Sequence, residues 1–171
     1  QERVVDLLIR RGAEVNLQDS DGVTGLMRAA VEGHERVVEL LIRRGGAEVN
    51  VVDSLGGTAM MYAANQGRER VVELLLRHDA EINLQSNKGF TALTVAAQEG
   101  HERVVELLIR RGAEINLQSS NGYTALMAAA HKGHERVVDC LIRRGVEINL
   151  QDSDGSTALM MAVGQGHERV A

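Results

Sequence analysis

Proline and tryptophan are both absent from the 171 residues, and phenylalanine and tyrosine together supply only 2%. With no large rings to fill space, any core has to be assembled from Leu, Ile, Val, Ala and Met. There is one cysteine, Cys140, so an internal disulfide is excluded. It stands where other copies of a recurring segment carry leucine, which reads as a buried thiol in an intracellular, cytoplasmic setting. No run of 18 apolar residues occurs and no signal-like segment opens the chain, so no membrane insertion is expected. The 19 basic residues are outnumbered by 24 acidic ones, for a formal charge of -5. A clustered basic face of the kind that binds a phosphate backbone is missing, and nucleic acid is not an expected partner. Arginine pairs such as Arg43 and Arg44 are isolated and follow acidic residues one turn earlier, as helix-end cations do.

What the chain has instead is repetition. GHERVVELLIRRG occupies residues 33 to 45 and returns unchanged at 100 to 112. Looser copies stand at 67 to 79 and 133 to 145. The ERVV tetrads begin at Glu2, Glu35, Glu69, Glu102, Glu135 and Glu168, at spacings of 33, 34, 33, 33 and 33. The one slip is an extra glycine, Gly45 followed by Gly46. A period of this length predicts a solenoid, in which each unit buries its apolar face against its neighbours.

Each unit predicts two short helices and a finger. Thr24 is placed to cap the first helix, whose apolar and Ala positions follow, and Gly33 ends it. The second helix carries Val37, Val38, Leu40, Leu41 and Ile42 inward and Glu35, Arg36, Glu39 and Arg43 outward, with Glu39 and Arg43 an i,i+4 pair. A glycine suited to left-handed backbone closes it. AEVNLQDSDG then has the extended run and Asp-Gly turn chemistry of a hairpin-like finger.

Asp19, Gly22, Thr24, Leu26, Ala29, Ala30, Gly33, His34, Val37, Val38, Leu40, Leu41, Gly45, Ala47 and Asn50 resemble the ankyrin repeat pattern, and the match recurs along the chain. The resemblance implies an all-α ankyrin-repeat solenoid of stacked helix-turn-helix pairs with β-hairpin-like finger loops. Full repeats are expected at 19–52, 53–85, 86–118 and 119–151, with partial repeats at 1–18 and 152–171. The family's TPLH becomes TGLM, TAMM, TALT, TALM and TALM here. Losing proline at the first helical position should weaken each helix start modestly. Met27, Met61, Met127 and Met160 replace a family histidine that bonds adjacent finger backbone, so more mobile fingers and gap-filling thioethers are expected.

Function is sought where the copies differ while the frame stays fixed. The finger tip reads Asp21, Leu55, Lys88, Asn121 and Asp154, and two residues later come Val23, Gly57, Phe90, Tyr123 and Ser156. One first-helix position reads Arg28, Tyr62, Val95, Ala128 and Met161. Three and four residues on come Val31 with Glu32, Asn65 with Gln66, Gln98 with Glu99, His131 with Lys132, and Gly164 with Gln165. That spacing shares one helix face. The resemblance implies that this face and the fingers line a concave groove for a protein partner. Leu55, Tyr62, Asn65, Gln66, Lys88, Phe90, Gln98, Glu99, Asn121, Tyr123, His131 and Lys132 are the expected contact residues. All three aromatics fall among them, and aromatics most often carry interface energy. The competing expectation for Phe90 and Tyr123 is packing along their own fingers.

The unit at 53–85 is the outlier, with the preceding glycine insertion, Leu55, Gly57, Met60, Arg68 for histidine and Asp79 for the helix-ending glycine. It reads either as a weak joint or as the place where Leu55 and Tyr62 serve a partner. His34, His101, His134 and His167 recur once per unit, which favours a framework role bonding the turn over catalysis. A metal shared by His131 and His134 would need the helix to run through Gly133. DSDG at 19 to 22 and 152 to 155 lacks the later ligands of a calcium loop, and no nucleophile motif or phosphate-binding loop appears. No enzyme activity, metal or cofactor is expected. Asn16, Asn50, Asn83, Asn116 and Asn149 are expected to bond finger backbone; hydroxylation, which the resemblance also implies, is not needed to explain them. Because both ends fall within a unit, the chain reads as a piece of a larger protein, or a consensus-like scaffold. An elastic spacer is the alternative function. A monomer is expected, with head-to-tail association conceivable through Val4, Val5, Leu8 and Ile9.

Overall fold

The computed structural model describes residues 2–166. His167 and the tetrad at Glu168 lie outside the described residues. Ten helices occur among those described: α1 (Glu2–Arg10), α2 (Gly25–Glu32), α3 (Glu35–Arg43), α4 (Ala59–Asn65), α5 (Glu69–Arg77), α6 (Ala92–Gln98), α7 (Glu102–Arg110), α8 (Ala125–Lys132), α9 (Glu135–Arg143) and α10 (Ala158–Gly164). Even-numbered helices are the first of each pair and odd-numbered ones the second. No strand forms among the described residues, only an isolated antiparallel bridge between Gln18 and Thr24.

The helix ends are where the sequence predicts them. Thr24, Thr58, Thr91, Thr124 and Thr157 hold extended backbone, and each hydroxyl accepts from the N–H three residues on, at 3.2 to 3.3 Å. Such a cap stabilises a helix by about 1 kcal/mol. In α2 the substituted methionine also has a polar task, for the Thr24 N–H donates to Met27 Sδ at 3.4 Å. Met27, Met61 and Met127 are otherwise core residues, whereas Met160, in α10, is 58% exposed.

Stacking is strictly by neighbour. Along one layer α2, α4, α6, α8 and α10 pack in order, and α1, α3, α5, α7 and α9 do so along the other. Ala30, Ala63, Ala64, Ala96, Ala97 and Ala129 are fully buried at the centre of the first layer. Val38, Val72, Val105, Leu75, Leu108 and Leu141 fill the second. Cys140 takes its leucine position as a buried thiol, and burial pushes its pKa up. At the ends core positions are uncovered: Val4 and Leu8, the counterparts of Val37 and Leu41, are 61% and 54% exposed, and Leu159 and Val163, the counterparts of Leu26 and Ala30, 54% and 62%.

Polar rungs cross each junction. His101 Nε2 donates to the Asn65 carbonyl at 2.8 Å and His134 Nε2 to Gln98 at 2.9 Å, both at the end of the preceding first helix. Arg68 performs the same task with Nε on the Val31 carbonyl at 3.0 Å. The side chain rests against the helix-breaking glycine: a Cβ at Gly33, Gly67 or Gly100 would lie 2.7 to 2.8 Å from Arg68, His101 or His134. The asparagines bond backbone at the start of the next unit's finger stretch. Asn16, Asn50, Asn83 and Asn116 accept from the N–H of Glu48, Glu81, Glu114 and Glu147 at 2.9 to 3.0 Å, tying the base of one unit to the base of the next.

Each finger is a hairpin turn closed on its first residue. Asp19 N–H donates to the Val23 carbonyl, and Asp19 Oδ1 accepts from Asp21 and Val23. Successive tips are stitched by Ser54 N to Asp21 O, Asn87 N to Leu55 O, Ser120 N to Lys88 O and Ser153 N to Asn121 O, at 2.8 to 3.1 Å. A glutamine brackets most junctions as well. Gln18, Gln85 and Gln118 each donate to a carbonyl of their own finger and to one at the next unit. The corresponding residue at the outlier unit is Val52, 44% exposed, so the junction between fingers 53–57 and 86–90 has no such bracket.

The glycine insertion is absorbed locally. In an ordinary unit Ala113 N bonds Leu108 O at 3.0 Å, and in the lengthened one Ala47 N bonds the equivalent Leu41 O, also at 3.0 Å. The extra residue is looped out between. A Cβ at Gly45 would meet Leu41 O at 2.7 Å, so only glycine fits, and Gly46 takes the left-handed conformation at φ 68. Asp79 holds the corresponding position after α5 at φ 61, the sole non-glycine residue with positive φ among those described. Relieving this strain with Asp79→Gly should raise the chemical-denaturation midpoint by the equivalent of about 0.5–1 kcal/mol. Restoring the bracket with Val52→Gln, whose amide would reach the Gly56 and Gln85 carbonyls, should add about 0.5–1.5 kcal/mol. A fall in midpoint for either variant would refute the corresponding account.

Candidate partner-binding cleft

The finger base and the middle of the first helix meet in each unit, and their side chains are matched. Arg28 donates to Asp19 Oδ2, and Tyr62 Oη donates to Asp53 Oδ2 at 2.5 Å, both across nine residues. Where the finger begins with Ser86 or Ser119, the partner position carries Val95 or Ala128 and needs no acceptor. Asp152 with Met161 departs from this matching. Asp53 is 7% exposed and its Oδ1 also accepts from the Leu55 and Gly57 N–H groups. A Cβ at Gly57 would approach Asp53 Oδ2 to 2.8 Å, so a larger residue here would have to shift the carboxylate that Tyr62 bonds.

The consequence is an open cleft of about 460 Å³ between the fingers at 53–57 and 86–90, backed by α4 and α6. Leu55, Tyr62, Asn65, Lys88 and Phe90 line it together with Met61 and Val95. Leu55 projects from its tip at 70% exposure. Phe90 reaches the cleft and also meets Tyr123 edge-on, with centroids 6.3 Å apart and planes at 77°. Packing along the fingers and lining the cleft are thus both true of Phe90. Tyr62 is a partition, since its other side borders a smaller cleft of about 370 Å³ formed with Val23, Met27, Arg28, Val31 and Glu32.

The remaining predicted residues lie outside that cleft. Gln66 bonds Asn65 at 2.9 Å, and Gln98 bonds Glu99 at 3.1 Å. Asn121 is at the next finger tip, where its Oδ1 accepts from Ser120. His131 and Lys132 close α8. Gly133 ends that helix at φ 72, and His134 Nε2 is engaged on Gln98, so the metal arrangement considered for His131 and His134 is not assembled. No metal-binding cluster occurs among the described residues. A roomier depression of about 680 Å³ between α1 and α3 is walled by Glu2, Arg3, Glu35 and Arg36, charged groups of which Arg36 already pairs with Glu2 at 3.6 Å. Asp53 and Met61 line the cleft without standing among the variable positions, and Gly57 and Val95 stand among those positions but not among the expected contacts; the matching of finger base to helix partner across the copies was the available signal.

Register-stacked helix pairs with fingers along one edge define a repeat solenoid. The chain belongs to the ankyrin repeat family: the family model described as ankyrin repeats matches in three copies, over residues 1–86, 45–119 and 93–171. Members of this family generally act as protein–protein interaction modules and are typically not enzymes. Comparison with curated proteins finds no match. Among the described residues no helix is long and apolar enough to cross a membrane.

The Asp53 hydrogen bond, with burial adding to it, pushes the Tyr62 pKa from the ordinary 10.0 up to about 12. The stability this bond contributes is complete below pH 10, where an unfolded tyrosine keeps its proton, and is lost as pH rises through about 12. In a Tyr123→Phe chain Tyr62 is the sole tyrosine. Its tyrosinate absorbance should then appear near pH 12, and a step at pH 10 would show that the Asp53 bond does not persist in solution.

Proposed function

We propose that the chain is a non-catalytic interaction module that binds a protein segment with its fingers and first helices, centred on the cleft between the fingers at 53–57 and 86–90. The observation that carries this reading is Leu55. A finger tip that is polar in every other copy holds a leucine in water, 70% exposed, beside the rings of Tyr62 and Phe90. Nothing in the frame calls for that side chain, and burying it against a partner recovers about 1.5–3 kcal/mol. Family membership supports the same reading, because the ankyrin frame leaves these positions free to differ between copies.

The reading also fits the chemistry around the cleft. Tyr62 is held in one orientation by Asp53, so its ring offers contact area without a large ordering cost on binding. Lys88, Asn65 and Asn87 supply polar groups at the margin. Peptides selected from a random displayed library on the immobilised chain provide the test. Leu55→Ala and Phe90→Ala should each weaken the selected peptides tenfold or more, about 1.4 kcal/mol. Tyr62→Phe, which keeps the ring, should cost less than Tyr62→Ala. Ile148→Ala, an exposed apolar residue away from the cleft, serves as control. Unchanged affinity in all the cleft variants would reject the site.

A further inference from the structure

Lys88 and Lys132 are the only lysines in the chain; every other side-chain cation of the Lys and Arg class is arginine. Framework arginines recur at fixed repeat positions, and many pair with acids: Arg44 with Asp6, Arg111 with Glu73, Arg77 with Glu73, Arg143 with Asp139. Both lysines instead occupy positions that vary between copies, in neighbouring units, and both are exposed. Neither forms an ion pair within the described residues. Lys88 lies on the cleft wall beside Leu55 and Phe90. Lys132 ends α8, one unit further along.

The opposite side of the cleft has the other sign. Beyond Tyr62 the second hollow carries Glu32, and the finger above it carries Asp21, while the charge of Arg28 is taken up by Asp19. Between the two ends Leu55, Tyr62, Asn65 and Phe90 are uncharged, and the one carboxylate in the lining, Asp53, is 7% exposed and accepts from Tyr62 and from the Leu55 and Gly57 N–H groups. Glu99 interrupts the cationic side, where Gln98 bonds it. Resting on the reading of this cleft as a docking site, we infer that its occupant is a peptide segment that seats one large apolar side chain between Leu55, Tyr62 and Phe90 and directs carboxylates toward Lys88 and Lys132. A lysine suits that task because its ammonium is a compact point charge on a flexible stem, and it makes no demand for bidentate geometry. The overall charge of -5 opposes an acidic segment at a distance, but that repulsion is screened beyond about 8 Å at physiological ionic strength, whereas the lysines act on contact.

The experiment is a parallel selection of random displayed peptides on the full chain and on its Lys88→Glu/Lys132→Glu variant. The wild-type chain should enrich peptides with an apolar residue flanked on one side by Asp or Glu. The variant should keep the apolar residue and exchange the flanking acids for Lys or Arg. Wild-type peptides should bind Lys88→Glu about three- to tenfold more weakly and the double variant more weakly still, with charge-reversed peptides regaining the loss. Peptides that depend on Leu55 and Phe90 but carry neutral or basic flanks would overturn this inference and leave the cleft standing. Acidic peptides with equal affinity for wild type and double variant would overturn the role of the lysines. Failure to enrich any peptide above bare support, or enrichment indifferent to Leu55→Ala and Phe90→Ala, would reject the cleft itself. Because both lysine side chains are exposed, the variants should fold, which circular dichroism of each checks.

Discussion

Everything in this array depends on how closely the first helices approach one another. The paired alanines, Ala29 with Ala30, Ala63 with Ala64, Ala96 with Ala97 and Ala129 with Ala130, are at most 5% exposed and let neighbouring backbones lie near each other. That approach sets where each unit sits on the last. At that separation His101 and His134 reach the carbonyls that end the previous helix, and each finger N–H meets the carbonyl of the finger before it. A larger side chain at the alanine seam would lengthen those bonds together, so packing and polar rungs fail as a unit. Thioethers at Met27, Met61 and Met127 complete the fill, which explains how a core without tryptophan or proline-set helix starts closes.

The unit at 53–85 looked anomalous because it departs from the frame at several positions at once. Most departures keep the task and change the residue. Arg68 reaches the same kind of carbonyl as the histidines, Tyr62 answers Asp53 as Arg28 answers Asp19, and the extra glycine leaves the turn-closing bond in place. Two departures do remove something: Val52 lacks the bracketing amide, and Asp79 sits in left-handed backbone. The junction that loses a bracket is the junction that holds the cleft. Weak stitching and the proposed partner contact, framed as alternatives from sequence, therefore concern the same junction.

The fold was legible because its determinants are local and repeated. Threonine caps, the helix-ending glycines and the inward valine and leucine columns each act within a turn or between adjacent units, so periodicity carries them. The cleft was only half legible. Variation between copies pointed to Leu55, Tyr62, Asn65, Lys88 and Phe90, but the same criterion also gathered Gln66, Gln98 and Glu99, which bond to their own neighbours. Variability marks freedom from packing, not membership of one hollow. Asp53 was passed over as an ordinary turn acid because its bond to Tyr62 joins two columns of the repeat that were read separately. The asparagines do bond finger backbone as read, but in the following unit, at Glu48, Glu81, Glu114 and Glu147, a partner that a single copy of the repeat does not contain.

The extra glycine after α3, with Gly45 packed against Leu41 O and Gly46 in open space, shows that the array measures itself by contacts and tolerates an added residue at the end of a second helix. Ala47 finds Leu41 whether or not a residue intervenes, and a Cβ at Gly46, Gly12, Gly112 or Gly145 would meet no atom within 4 Å. These turns are therefore ports. A foreign loop grafted into one of them would hang clear of the stack, and the next unit would dock as though nothing had been added.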